Sequence, residues 1–308
     1  MNKIINFHRV VDPLWLETTL NIIKSKYRII EYSELKSYFY GNLDLKKSCH
    51  ITFDDGDKTF IEVVYPILEK LQIPTTIFIS PFICKSQTNF WFQEIEGYDA
   101  VKMKKIVSNN LNIKSEYLIK YSLPAILKNL PIDKIWQIIR DYKELYKPEI
   151  KESYNLNVDD LLRIDKNDLV TIGSHTNMHP ILANEDDEKS KLEISESILD
   201  LQDLLGHEIE WFSYPNGVPE MDFGKREINE LLQNNCKISF STESTNFSKL
   251  NNPLSIPRHS LTKGGPFFIK GKLSIGSYWE KIKHIISKTE SSERLEFKTF
   301  LSSNYKKN

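Results

Sequence analysis

Hydrophobic positions along this chain fall into two periods. Short apolar or β-branched runs at residues 3–7, 27–30, 50–53, 75–80, 170–174, 211–214, 237–241 and 255–258 predict strands. The run at 75–80 carries no charge, which suits a strand covered on both faces. Between these runs, apolar residues recur every three or four positions and predict helices. Leu16, Leu20 and Ile23 mark one. Ser33 is placed to cap a second, running to Phe39. Phe60, Val63, Val64, Ile67, Leu68 and Leu71 mark a third over 59–71, closed by Ile73-Pro74. Residues 185–205 and 224–234 give two more. Strand, helix and strand joined by short links form parallel βαβ units, and about seven of them predict an α/β chain closed into a distorted (β/α) barrel. In such a fold chemistry sits at the C-terminal ends of the strands.

Two segments break the pattern. Residues 85–166 carry an aromatic cluster, Phe90-Trp91-Phe92, and then helical stretches rich in Lys, Tyr and Ile. No Gly/Ser/Pro linker sets this segment apart, so it reads as a helical insertion within a domain spanning 1–270. Residues 271–308 read as a C-terminal helical extension. There Trp279, Ile282, Ile285 and Ile286 form a stripe suited to core packing or self-association.

Composition narrows the class. The 308 residues are 40% hydrophobic and 27% charged, enough for a sizeable core. A formal net charge of −1 gives no global attraction to nucleic acid or anionic lipid. Cys49, Cys84 and Cys236 are scattered and form no CxxC pair, which argues against a disulfide framework and fits a reducing compartment. No signal-like apolar run and no run near 20 apolar residues occurs, so the expectation is a cytoplasmic protein without a membrane helix.

Three strand ends carry the chemistry. Ile51-Thr52-Phe53 stops at Asp54-Asp55-Gly56, where alternation along a strand aims the two carboxylates differently and Gly56 lets the chain turn away. The strand at 170–174 leads into His175-Thr176-Asn177-Met178-His179. If the chain turns helically there, the two imidazoles share a face and bind one ion. With an aspartate from another strand tip they make a two-His, one-carboxylate set that leaves positions open for water and substrate. The third end is Phe212-Ser213-Tyr214-Pro215-Asn216-Gly217, where Pro215 fixes the backbone and the Asn216 amide is placed to point into the site.

In this order the three pieces resemble the polysaccharide deacetylases, the NodB-homology fold of carbohydrate esterase family 4. Thr52-Phe53-Asp54-Asp55-Gly56 and His175-Thr176-Asn177-Met178-His179 carry the resemblance, which spans roughly residues 3–265. The third piece matches only in Pro215 and Gly217: Ser213 stands where the family carries an arginine, and Asn216 where it carries a tyrosine. The later Asp/Trp motif is not found. Phe7-His8-Arg9-Val10 and Phe90-Trp91 look like a bacterial subgroup of these enzymes.

The resemblance implies a divalent ion, Zn²⁺ first and Co²⁺, Ni²⁺ or Mn²⁺ as alternatives, held by Asp55, His175 and His179. Asp54 would be the general base, with Tyr214, Pro215 and Asn216 facing the substrate and oxyanion. For the general acid two histidines stay open, His259 after the last strand and His8 at the tip of the first. Arg258 is placed to supply the cation that the missing arginine would have given Asp54. His50 reads as a packed strand residue, and His207 and His284 as solvated.

The expected substrate is an acetylated sugar, in a surface glycan or a nucleotide-linked or lipid-linked precursor, with the helical insertion roofing the site against longer chains. Rival readings are a deformylase or other amidase on the same site, and an inactive carbohydrate-binding relative. A glycosidase needs two carboxylates flanking one bond at about 5 to 9.5 Å, which adjacent strand residues facing apart do not provide.

Overall fold

The structure, a computed structural model, describes residues 1–274 and 290–304. The stripe at Trp279, Ile282, Ile285 and Ile286, and also His284, lie outside the described residues. Two compact units are present, one formed by residues 1–88 and 154–274, the other by 89–153 and 290–304.

The first unit holds eight parallel strands among the described residues: β1 (Lys3–Phe7), β2 (Arg28–Ile29), β3 (Ser48–Phe53), β4 (Thr75–Ile79), β5 (Val170–Ser174), β6 (Trp211–Ser213), β7 (Ile238–Phe240) and β8 (His259–Ser260). Their order is β7-β6-β5-β4-β3-β1-β8, with β2 added beside the start of β3. The predicted last strand is displaced. Residues 255–258 instead bridge β7, where Ile256 N–H donates to Ser239 O and Ile256 O accepts from Ser241 N–H. Only His259 and Ser260 pair with β1, opposite Ile5 and Asn6. The segment thus joins the two sheet edges, giving the distorted (β/α) barrel that the repeat pattern predicts.

Helices α1 (Pro13–Lys26), α2 (Tyr32–Tyr40) and α3 (Tyr65–Leu71) cover the first half of the sheet. α2 begins one residue ahead of Ser33, so Ser33 is not its cap. Glu34 reaches back to the Glu31 N–H at 3.2 Å and does that work. The helix predicted over 59–71 is broken in two, because Phe60–Val64 winds as a π-turn ahead of α3. Every residue of β1, β3 and β4 is buried, as parallel strands covered by helices outside and by packed side chains inside a barrel require. The apolar core runs through Ile5, Ile51, Ile77, Ile172 and Phe212.

α4 (Pro81–Ser86) follows β4, and then the chain enters the second unit through α5 (Trp91–Glu94), α6 (Ala100–Leu111), α7 (Ser115–Leu118), α8 (Leu123–Leu127) and α9 (Ile132–Tyr146). The helical segment that left the barrel pattern is therefore narrower than 85–166. α10 (Val158–Asp165) already belongs with the barrel, its Leu161 and Ile164 buried in the barrel core. The C-terminal helix Glu290–Asn304 is part of the second unit, with Phe297 edge-on to Tyr121 at 5.0 Å. α11 (Asp187–Leu205) and α12 (Lys225–Gln233) complete the barrel's helical layer. No described helix is long and apolar enough to cross a membrane.

Candidate active site

The site is built at the C-terminal tips of β3, β5 and β6. β3 ends at Phe53, and Asp54 N–H is still tied to Phe7 O at 3.0 Å. The chain then turns sharply: Asp55 and Gly56 both take left-handed conformations, φ 73° and 69°. A Cβ on Gly56 would lie 2.7 Å from Ile79 Cδ1, so this turn demands glycine twice over. The two carboxylates diverge as strand alternation predicts.

Asp54 turns into the barrel and Arg258 meets it there. Arg258 is fully buried, and its Nη1 and Nη2 each donate to one carboxylate oxygen at 2.8 Å. The guanidinium also bonds Ser213 Oγ at 2.8 Å and Ser241 O at 3.2 Å, and lies over the rings of Phe78 and Phe240. Asn6 Nδ2 donates to Asp54 Oδ2 at 3.0 Å, and Thr52 Oγ1 donates to Asn6 Oδ1. Burial pushes the Asp54 carboxyl upward, but the charges of Arg258 and His175 and the Arg258 hydrogen bonds outweigh it, holding Asp54 well below the usual carboxylate range. Ser213, at the third-motif arginine position, accepts the guanidinium arriving from the segment that leads into β8.

Asp55 faces the two histidines. Its Oδ1 lies 3.5 Å from His175 Nε2 and 3.6 Å from His179 Nε2, and the three ligand atoms all fall within 4.8 Å of one another. His175 Nδ1–H donates to Ser213 O at 2.6 Å, which fixes the tautomer and presents Nε2 to Asp55. His175 is further anchored through its own N–H to Ile79 O and its carbonyl to Ser80 Oγ. The histidine loop is not helical. Thr176 and His179 are left-handed at φ 63° and 57°, and Thr176 Oγ1 accepts the His179 N–H at 3.1 Å. A tight turn, not one helix face, brings the imidazoles together, with ring centres 4.8 Å apart.

This arrangement fits a divalent cation. Ligand atoms sharing an ion at about 2.0–2.2 Å in tetrahedral geometry stand about 3.4 Å apart, close to the two Asp55–His separations. Asp55 Oδ1 is buried without a hydrogen-bond partner among the described residues, an atom that a cation would satisfy. Burial lifts the Asp55 carboxyl, yet His175, His8 and His179 draw it below its ordinary value. Burial lowers His175, yet Asp55 and Asp54 bring it above its ordinary value. With two carboxylates against one buried guanidinium, the pocket favours added positive charge.

His8 Nε2 lies 3.9 Å from Asp54 Oδ2, with its side chain 51% exposed at the mouth of the site. The structure does not bring His259 there. His259 neighbours Arg258 on an extended segment, so it points to the opposite face, where its Nε2 accepts from Lys3 Nζ at 3.2 Å. Burial and then the Lys3 charge lower its pKa to about 3. Tyr214 and Asn216 do not face the site as expected either. Tyr214 is stacked on Phe223 at 3.5 Å with its hydroxyl bonded to Leu254 O, and the Asn216 side-chain amide donates to Asp222 Oδ2. Pro215 is buried, and its carbonyl accepts the Gly217 N–H. His50 is packed between Ile30 O and Thr76 Oγ1, and half-exposed His207 pairs with Asp165 at 2.9 Å. Asn6 and Ser213 as partners of Asp54 were missed. An asparagine between the apolar Ile5 and Phe7 of the first strand was the available signal.

Comparison with curated protein sequences gives no match. Solved structures share the fold. A Streptococcus pyogenes deacetylase, PplD, determined in complex with acetate, is 16% identical with a TM-score of 0.55, over 84% of this chain and 91% of that one. IcaB from Ammonifex degensii is 14% identical with a TM-score of 0.60, over 90% and 97%. A de-N-acetylase from Aggregatibacter actinomycetemcomitans is 16% identical with a TM-score of 0.58, over 88% and 98%. The sequence model for polysaccharide deacetylase matches residues 42–115 and 126–233, a span that contains Asp54, Asp55, His175 and His179. Since that match takes in more than half of the chain, the chain belongs to the polysaccharide deacetylase family, hydrolases that remove acetyl groups from sugars.

Proposed function

We propose that the protein is a divalent-metal-dependent deacetylase that removes an N-linked acetyl group from a sugar in a surface glycan or its nucleotide-linked or lipid-linked precursor. The observation that carries this reading is the convergence of Asp55, His175 and His179 beside an ionised Asp54. Asp55 Oδ1, His175 Nε2 and His179 Nε2 would hold the ion, Zn²⁺ by the chemistry of the donors. When bound, such an ion lowers the pKa of a water to about 7 and polarises an acyl carbonyl.

The chain's own residues account for the proton movements. Asp54 is kept ionised by Arg258 and takes the proton of the attacking water. Arg258, Asn6 and Ser213 hold the carboxylate in one orientation. His8, at the mouth of the site and 3.9 Å from Asp54, gives a proton to the departing sugar nitrogen. The choice of an amide follows the de-N-acetylase among the structures of the same fold.

The eroded third motif favoured an inactive sugar-binding relative. Arg258 speaks against it, because a cation from the segment before β8 occupies the carboxylate that the missing arginine would have served. The test is acetate release from acetylated oligosaccharides and nucleotide sugars, before and after chelation. We expect activity to disappear with the ion and to return on Zn²⁺ add-back at about one ion per chain. Sugar binding with no metal and no acetate from any substrate would leave only the binding relative.

A further inference from the structure

We infer that Glu193, a residue outside all the motifs, is a positioning residue that sets the divalent-ion affinity of the site by holding the His179 ligand in place; the inference rests on the metal reading above. Glu193 lies on α11 and is 3% exposed. Its Oε2 accepts two successive backbone N–H groups, Asn177 at 3.0 Å and Met178 at 2.9 Å, in the middle of the loop that links the two histidines. Its Oε1 lies 3.9 Å from Lys189 Nζ.

The two ligands on this loop are held in different ways. His175 is fixed by the sheet, through Ile79 O, Ser80 Oγ and Ser213 O. His179 sits four residues out, beyond β5, after a left-handed Thr176 and in a left-handed conformation itself. Histidine enters that region more readily than most residues, but a β-branched threonine is an outlier there. Such a turn persists only where the surroundings over-determine it. Three consecutive N–H groups, at 177, 178 and 179, point inward and need acceptors. Glu193 supplies two and Thr176 Oγ1 the third. A single carboxylate oxygen accepting two N–H bonds is a charge-assisted clamp on a loop whose one exported task is to aim an imidazole.

The role differs from general stabilisation because it acts through one ligand. Shortening the side chain in Glu193→Asp withdraws the oxygen from both N–H groups, and we expect a 10- to 100-fold loss of Zn²⁺ affinity. Glu193→Gln keeps an oxygen at the same reach and should stay within about threefold of the parent. In a His179→Ala background, Glu193→Asp should change affinity less than about twofold, since the ligand it aims is gone. Competition with a chromogenic chelator measures affinity, and visible absorption of the Co²⁺-loaded protein reports ligand number and geometry. A Co²⁺ spectrum altered in Glu193→Asp and kept in Glu193→Gln supports the assignment. If the parent binds neither Zn²⁺ nor Co²⁺, the metal reading falls and takes this inference with it. If the parent binds but Glu193→Asp matches it in affinity and spectrum, or loses as much in the His179→Ala background, the positioning role alone is overturned.

Discussion

Replacing Arg258 by methionine isolates the electrostatics of the site. In the parent, two 2.8 Å charge-assisted bonds join a fully buried guanidinium to Asp54. Methionine keeps apolar bulk between Phe78 and Phe240 but removes the charge, stranding Asp54 and freeing the acceptors Ser241 O and Ser213 Oγ. Losing one partner of a buried pair costs about 3–5 kcal/mol at neutral pH, read by urea denaturation. The pH dependence carries the finer test. In the parent, the Asp54 pKa is depressed on folding, so its contribution is present above the unfolded value near 3.9 and is lost as pH falls through the folded value. In Arg258→Met, burial dominates and raises the folded pKa above 3.9. The protonated carboxyl then suits the fold, and stability is lost as pH rises through the new value. The deficit of the variant should therefore be full at pH 7 and shrink toward pH 4. The acid limb of kcat/KM for acetate release should move to higher pH for the same reason. A deficit below about 1 kcal/mol, or one that stays constant from pH 7 to 4 with an unmoved acid limb, would refute the coupling of Arg258 to Asp54.

Other substitutions separate the roles. Asp54→Asn should retain the ion while acetate release falls about 10²- to 10⁴-fold, the worth of a positioned proton acceptor; full activity would remove Asp54 from the mechanism. His8→Ala should cost a similar factor and His259→Ala less than about twofold, since His259 faces Lys3; the opposite ranking would reinstate His259 as the acid. His50 is held neutral by burial with its pKa lowered to about 4, so the unfolded chain binds more protons there between pH 6.5 and 4. Stability should fall as pH falls through that window, by about 3 kcal/mol from this group. Urea titrations of His50→Gln should show a shallower slope, and an unchanged slope would mean that His50 titrates normally in the folded protein.

Several features were legible in the sequence because they depend on short-range periodicity. Lys3–Phe7 and Val170–Ser174 were bounded to the residue, since each is a short run rich in apolar or β-branched residues that ends at polar groups. Asp54 and Asp55 were read as divergent from strand alternation, and the left-handed turn at Asp55, past the end of β3, contributes to that divergence. Arg258 was legible as a partner for Asp54 only because Ser213 left an arginine-shaped deficit at one motif position. His259 does not reach the site because Arg258, its neighbour on extended backbone, is the residue that faces Asp54, and alternation turns the imidazole to the other face. Tyr214 and Asn216 were misjudged because loop side chains choose partners, here Leu254 O and Asp222, that periodicity does not encode.

The chain's local chemistry determined the parallel βαβ units, the barrel they close into and the ligand types available at three strand tips. Tertiary structure alone decided which side chains meet. Arg258 lies 204 positions from Asp54, and Glu193 lies 15 and 16 positions from the N–H groups it holds. Backbone periodicity is set by neighbouring residues and is written along the chain. Convergence depends on how strands register and helices pack, and a buried charge finds its partner only once that packing has excluded water.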